Sequence, residues 1–448
     1  AIASFDTALS IQPDFAQCHC NRGSVYDKLG QHAEALASYD QALAHQPHYT
    51  QAHYNRALAL EKLERHAEAL NSYQQATAIQ PNYVQAHYQQ GILLDKLMRH
   101  TEAIASFDLA IAHQPSHQEA WTLRGCAQAR LLRHAEALAS FDRATAIAPD
   151  YAPAYLSKSL TLLLTGVFET AWPLYEWRWK IKQADAPRHF SQAKWLGNQD
   201  IAGKTLLLYP EQGFGDTIQF CRYALVLTQM GAQVVIEVPK PMVGLLHSLG
   251  DAATIVERGT PLPAFDLHCP LLSLPLAFMT CGKTLPTMTS YLYSQPRKRE
   301  QWQQRLGPAT KPRIGLAWSG STEHQNDKNR SIPLAELAGH LPTGFDYISL
   351  QKEVRPSDMA ALQAHAIQHY GADLHDFTDT AALLDQVDRV ISVDTSVAHL
   401  AGALGKPAWV LLPYVPDWRW LLNRDDSPWY PSITLFRQSE DRQWATVL

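Results

Sequence analysis

Pro13, Pro47, Pro81, Pro115 and Pro149 recur every 34 residues through the first third of the 448-residue chain, and then the ladder stops. No other feature restricts the fold as much. Proline cannot continue a helix, so a fixed proline period marks the same turn in successive copies of one helix pair. Other positions keep step with it. Gly23, Ala57, Gly91 and Gly125 are small, as are Ala35, Ala69, Ala103 and Ala137. Tyr39, Tyr73, Phe107 and Phe141 follow, and then Ala42, Ala76, Ala110 and Ala144. Small residues at constant offsets let two helices cross closely, and the aromatic at a constant offset is read as a plug for the next repeat. The pattern predicts a half repeat at 1–15 and full repeats at 16–49, 50–83, 84–117 and 118–151. A degenerate fifth spans 152–185, with Ala171 and Tyr175 in register and Gln183 in place of proline. The chain opens without Met, in AIASFDTAL, in register with the second helix of a repeat, so upstream sequence is expected before Ala1.

The period and its marker positions resemble the tetratricopeptide repeat (TPR). In such a solenoid helix A lines the concave face, where Asn21, Asn55, Gln89 and Leu123 stand two positions before the small residue. An amide donates and accepts at once, so a row of amides can hold an extended peptide backbone without reading its side chains. The row resembles the asparagine ladder of the TPR domain in O-GlcNAc transferase and implies a protein partner; plain polar surface is the alternative. His32, His66, His100 and His134 also repeat. Copies one repeat apart cannot share a metal whose bonds are about 2 Å long, so these are expected to be turn-surface residues. Trp172, Trp177 and Trp179 in the fifth repeat are expected to form a docking core for the rest of the chain.

From about residue 200 the periodicity changes. KTLLLYP, AQVVIEVP, PRIGLAW, FDYISLQ, RVISVD and PAWVLLP read as short buried strands separated by helical stretches, which is the pattern of parallel α/β units. Two such modules, 186–295 and 296–448, would place a ligand cleft at the carboxyl ends of their strands. In VISVDTSVAHLAGALGKP a strand runs through Asp394, Thr395 and Ser396 straight into a helix, whose free amides and dipole suit a diphosphate; His399 lies one turn in. The plain role of such residues is a helix N-cap. Lys328 and Arg330 in the loop WSGSTEHQNDKNRSIP suit phosphate neutralisation, and Gln351 closes the strand end SLQ, where a nucleotide base could meet backbone groups. Asp417 and Arg419, in PDWRW, follow another strand end.

Together EQGFGDTIQF, WSGSTEHQNDKNRS, SLQ and DTSVAHLAGALGKP resemble the TPR-fused branch of family 9-like glycosyltransferases, relatives of the lipopolysaccharide heptosyltransferases. The resemblance covers about residue 200 to the end. It implies a TPR α-solenoid followed by an α/β GT-B fold of two Rossmann-like modules. On that basis Asp216 corresponds to the general base that takes a proton from the acceptor hydroxyl. Gln212, Gly213 and Gly215 fall on the acceptor side, the two glycines allowing close backbone approach. Capping a helix that begins at Thr217 is the alternative role for Asp216. The DTGxxH signature of the family falls on Asp394, Thr395 and His399, with Ser396 where the family has glycine, which leaves donor preference open. The basic residue on the donor phosphates corresponds to Lys328 or Arg330.

The implied reaction is a metal-independent, inverting sugar transfer from a nucleotide-sugar donor, with no cofactor, to a protein recruited by the solenoid through Asn21, Asn55 and Gln89. Bacterial TPR-fused transferases acting on flagellin are a parallel by architecture. A lipid or oligosaccharide acceptor is the alternative, as is an interaction scaffold with an inactive transferase module. No DxD motif is present, so the helix dipole and basic side chains are expected to replace a cation. A net charge of −5 gives no footprint for nucleic acid. The six cysteines form no CxxC pair and fit a reducing, cytoplasmic setting, and no apolar run is long enough to span a membrane.

Overall fold

The 34-residue period produces α1 (Ile2–Ile11), α2 (Ala16–Lys28), α3 (His32–His45), α4 (Thr50–Lys62), α5 (His66–Ile79), α6 (Val84–Lys96), α7 (His100–His113), α8 (Gln118–Arg130), α9 (His134–Ile147) and α10 (Ala152–Leu164). The computed structural model describes residues 1–181, 188–324 and 326–448. It divides the chain into two compact units, Ala1–Thr161 and Leu162–Leu448. Gln183, and the boundary expected at 185–186, lie outside the described residues.

The first unit is a helical solenoid with a buried core of Ala, Leu and aromatic side chains. Its aromatic positions share their core clusters with residues of the following repeat, Tyr39 with Ala52 and Ala59 and Tyr73 with Ala86 and Leu93, and three of them also pack on their own repeat. A Cβ on Gly23 would lie 2.6 Å from the Tyr39 ring, and Gly91 with Phe107 and Gly125 with Phe141 repeat that distance. The ring fills the space left by its own repeat's glycine, because the two helices of a pair approach most closely there. The proline turns are also tied down by rings from the next helix A. His19, His53 and His87 donate Nε2–H to the carbonyls of Pro13, Pro47 and Pro81 at 2.8 to 2.9 Å. In the fourth repeat Trp121 Nε1 does the same to Pro115 at 3.0 Å.

In the second histidine series His32 and His100 depart from the turn-surface expectation. His100 is only 3% exposed, and its Nδ1 lies 2.7 Å from Asp95; His32 is half-buried and 3.0 Å from Asp27. These rings begin helix B and fold back onto a carboxylate near the end of helix A, which draws them off the surface.

The second unit opens with α11 (Phe168–Tyr175) and a 3-10 turn, Glu176–Lys180. Trp172 is buried and donates Nε1–H to the Thr280 carbonyl at 2.6 Å, with Trp418 packed edge-on at 5.4 Å. The strands are β1 (Ala193–Lys194), β2 (Thr205–Tyr209), β3 (Gln233–Val238), β4 (Thr254–Glu257), β5 (Leu267–Pro270), β6 (Arg313–Ala317), β7 (Asp346–Ser349), β8 (Gln368–His369), β9 (Arg389–Val393), β10 (Ala408–Leu412) and β11 (Ile433–Arg437). They form two wholly parallel sheets, ordered β1-β5-β2-β3-β4 and β11-β10-β9-β6-β7-β8. In the first sheet the order reverses beside β2, and in the second it reverses between β6 and β9. Such reversals open a crevice beyond the carboxyl ends of the strands, because successive crossovers leave in opposite directions.

The two sheets are joined by α12 (Phe214–Phe220), which packs on the helix Ser396–Ala403. Arg222, fully buried, donates to the carbonyls of Trp429 at 2.7 Å and Gln219 at 2.8 Å and to the Tyr291 hydroxyl at 3.0 Å. Its carbon lies 4.7 Å from the Tyr430 ring. Among the described residues no helix is long and apolar enough to cross a membrane.

Candidate functional site

The loop after β2 carries Glu211, Gln212 and Gly213 into α12, and those after β6 and β9 carry Arg330 and Asp394. Both sheets thus place their polar loops at the crevice their topology opens. Asp216 is held from two sides. Its Oδ2 accepts from Gly213 N at 3.0 Å, and its Oδ1 accepts from Arg419 Nη2. The helix begins at Phe214 rather than at Thr217, so Asp216 sits inside the first turn and reaches back to the chain that precedes it. Burial pushes its carboxyl up; the Arg419 charge opposes that without cancelling it, and Asp417 adds to it.

Arg419 is the centre of the cluster. Nη1 donates to Asp417 Oδ1 at 2.7 Å, and the guanidinium carbon lies 4.3 Å from the Trp418 ring. Asp394 is pushed up to about 6, first by burial and then by the Asp417 charge. Its carbonyl accepts from Arg330 Nη1 at 2.8 Å. Thr395 precedes the helix that starts at Ser396, and its hydroxyl lies 3.3 Å from Ser392 Oγ. Both Thr395 and Ser396 are half-buried, whereas Lys328 is exposed. Two basic side chains that looked equivalent in sequence therefore differ: Arg330 is built into the β9 turn and Lys328 is not.

His399 and Gln351 are enclosed. Nδ1 of His399 pairs with Tyr430 OH at 3.0 Å, its ring stacks on Trp420 at 5.3 Å, and Nε2 is 3.9 Å from Asp394. Burial holds the imidazole well below its ordinary range, so it is neutral. Gln351 Oε1 accepts from the amides of Trp318 and Ser319 at 2.8 and 2.9 Å, and its Nε2 donates to Ser319 Oγ and the Glu353 carbonyl. These contacts shape the loop after β6. Gly215 approaches the His399 ring, so its missing Cβ serves packing between the two sheets. Gly213 and Gln212 are exposed.

A second charged cluster holds the loop in front of Asp216, and the reading of the sequence did not include it. Arg178, 2% exposed, grips Glu211 with both Nη2 and Nε at 3.0 to 3.1 Å and donates to Glu176 at 2.6 Å. Burial, outweighing Arg178, pushes Glu211 up to about 7. Arg258 holds the neighbouring Pro210 carbonyl at 2.9 Å. The only signal for this cluster was the charge inside the tryptophan-rich segment 168–180. Among the described residues, no group of three or more His, Cys, Asp or Glu side chains could hold a metal ion.

In the solenoid, Asn21 is exposed and Gln89 half-buried. Asn55 is engaged: it donates to Ser24 Oγ at 3.3 Å and accepts from Gln51 at 2.8 Å.

Residues 20–84 and 88–152 match the tetratricopeptide repeat family, and the unit Ala1–Thr161 is a TPR solenoid. FlbA of Caulobacter vibrioides is 26% identical over 321 residues. That alignment covers 65% of this chain, more than the solenoid alone can supply, and 53% of FlbA, so the chain spans about half the length of that relative. Solved structures similar to parts of it include YrrB, PilW and MamA. YrrB, a TPR protein with an unusual peptide-binding site, is 22% identical, covering 41% of this chain and 94% of its own with a TM-score of 0.37. The type IV pilus biogenesis factor PilW is 27% identical, covering 38% and 80% with a TM-score of 0.34. MamA is 22% identical, covering 34% and 88% with a TM-score of 0.33.

Proposed function

We propose that the second unit is a glycosyltransferase of the GT-B type, moving a sugar from a nucleotide-sugar donor to an acceptor hydroxyl. The observation that carries this reading is the meeting of Asp216, Arg419, Asp394 and the Ser396 helix start where both parallel sheets change direction. The donor diphosphate would lie against the free amides of Thr395 and Ser396, with Arg330 and Lys328 as counter-charges. The acceptor oxygen attacks the anomeric carbon and loses its proton to the Asp216 carboxylate. As the new C–O bond forms, the bond to the phosphate oxygen breaks and the nucleoside diphosphate leaves with that electron pair. A carboxylate whose pKa burial has raised is a stronger base than a free one. With no DxD motif, the leaving charge is met by the helix dipole and arginines.

The acceptor in this reading is a protein recruited by the solenoid. The exposed Asn21 and half-buried Gln89 are the amides best placed to meet a peptide, since Asn55 already pairs with its neighbours. A second reading, an interaction scaffold with an inactive transferase module, is favoured by one observation: both oxygens of Asp216 are occupied.

Turnover separates the two. A panel of uridine, guanosine, cytidine and adenosine diphosphate sugars is incubated with the protein, and release of the nucleoside diphosphate is followed. The wild type is expected to release it from one donor, and Asp216→Asn to lose roughly a hundredfold or more. No release from any donor, with Asp216→Asn indistinguishable, would leave the scaffold.

A further inference from the structure

Arg419 is 8% exposed, yet its donors are unevenly used. Nη1 is taken by Asp417 and Nη2 by Asp216, while Nε is buried with no hydrogen-bond partner. A buried donor without an acceptor is costly, and native structures keep few of them. The guanidinium is fixed on one side by the Trp418 ring, 4.3 Å away, and it lies close enough to influence both Asp394 and His399. Its partner Asp216 follows Gly215 in α12, and a Cβ on Gly215 would lie 2.8 Å from His399 of the Ser396 helix, so the guanidinium stands at that helix with one unmet donor. Its partner Asp216 carries one negative charge, whereas a diphosphate carries more charge and several acceptor oxygens in a geometry that suits a guanidinium fork.

Resting on the glycosyl-transfer reading, we infer that Arg419 is a donor-operated latch on Asp216. With the cleft empty, Arg419 holds the carboxylate. A nucleoside diphosphate arriving at the Ser396 helix start satisfies Nε, takes the guanidinium and frees Asp216 to accept the acceptor's proton. The base is then available only when a donor is in place, so the order of binding is donor before acceptor. The occupied oxygens of Asp216 are on this view the resting state of an enzyme.

Competition for one side chain has a thermodynamic signature. If a diphosphate must win Arg419 from Asp216, removing the Asp216 charge strengthens diphosphate binding, and only while Arg419 is present. Binding of pyrophosphate and of the uridine, guanosine, cytidine and adenosine diphosphates is measured by calorimetry at fixed salt. The variants are Asp216→Asn, Arg419→Gln, Arg419→Lys and the double variant Asp216→Asn/Arg419→Gln, each checked by its melting curve. Asp216→Asn is expected to bind about tenfold tighter and Arg419→Gln about tenfold weaker, with the double variant no tighter than Arg419→Gln alone. Arg419→Lys, which keeps the charge, covers a failure of the glutamine variant to fold and is expected to fall between. An unchanged or weaker Asp216→Asn overturns the latch. So does an equal gain in the double variant, which would mean simple charge repulsion. Binding of no diphosphate by the wild type overturns the transferase reading itself, and the latch with it.

Discussion

Gly215 and His399 meet where the helix of one sheet packs on the helix of the other: a Cβ on Gly215 would lie 2.8 Å from His399 Cδ2. The histidine cannot retreat, because it is pinned by Tyr430 and stacked on Trp420. Gly215→Ala is therefore expected to destabilise the second unit by about 1–3 kcal/mol. The cost should shrink when His399→Ala is added, since the two changes share one contact. Chemical denaturation followed by tryptophan fluorescence would check this; additive effects would show that the contact carries no energy.

Glu211 makes stability depend on pH in a defined direction. Its folded carboxyl keeps a proton up to about 7, against an ordinary 4.5. Between those values the folded state binds more protons than the unfolded one, so this group's contribution falls as pH rises. Arg178, Glu176 and Lys194 face it, the two basic groups lowering its pKa and Glu176 raising it. Glu211→Gln removes the titration. Its melting temperature relative to wild type is expected to climb as pH rises from about 5 to about 8. A constant difference across that range would show that Glu211 is ionised throughout.

The ring-to-proline bonds in the solenoid predict a selective tolerance. His53→Phe leaves the Pro47 carbonyl without its donor and is expected to cost about 1 kcal/mol. His53→Trp restores an N–H of the kind Trp121 supplies to Pro115 and should cost clearly less. Equal stabilities of the two variants in urea titrations would mean that packing alone, and not the bond, holds the turn.

The proline ladder was enough to predict the helix pairs and their register, because a 34-residue period can be buried only by stacking. It did not reveal that Tyr39, Phe107 and Phe141 also fill the space beside their own repeat's glycine, since sequence spacing does not say which neighbour lies closer. The apolar runs at β2, β3, β6, β7, β9 and β10 were legible as buried parallel strands. The shorter or more polar β1, β4, β5, β8 and β11 were not, for they depend on neighbours to bury them.

The loops that carry polar groups could also be read, because Gly-, Asp- and Ser-rich segments must come after the strands of such a fold. What sequence alone determined is thus the repeat, the apolar strands β2, β3, β6, β7, β9 and β10 in their chain order, and the candidate loops. Only the tertiary structure decided what those loops do to one another. Asp216 and Arg419 lie 203 residues apart, and Arg178 and Glu211 come from separate elements. Charges that meet only through folding leave no spacing to read, and whether burial or pairing sets their behaviour is fixed by the neighbours that the fold brings in.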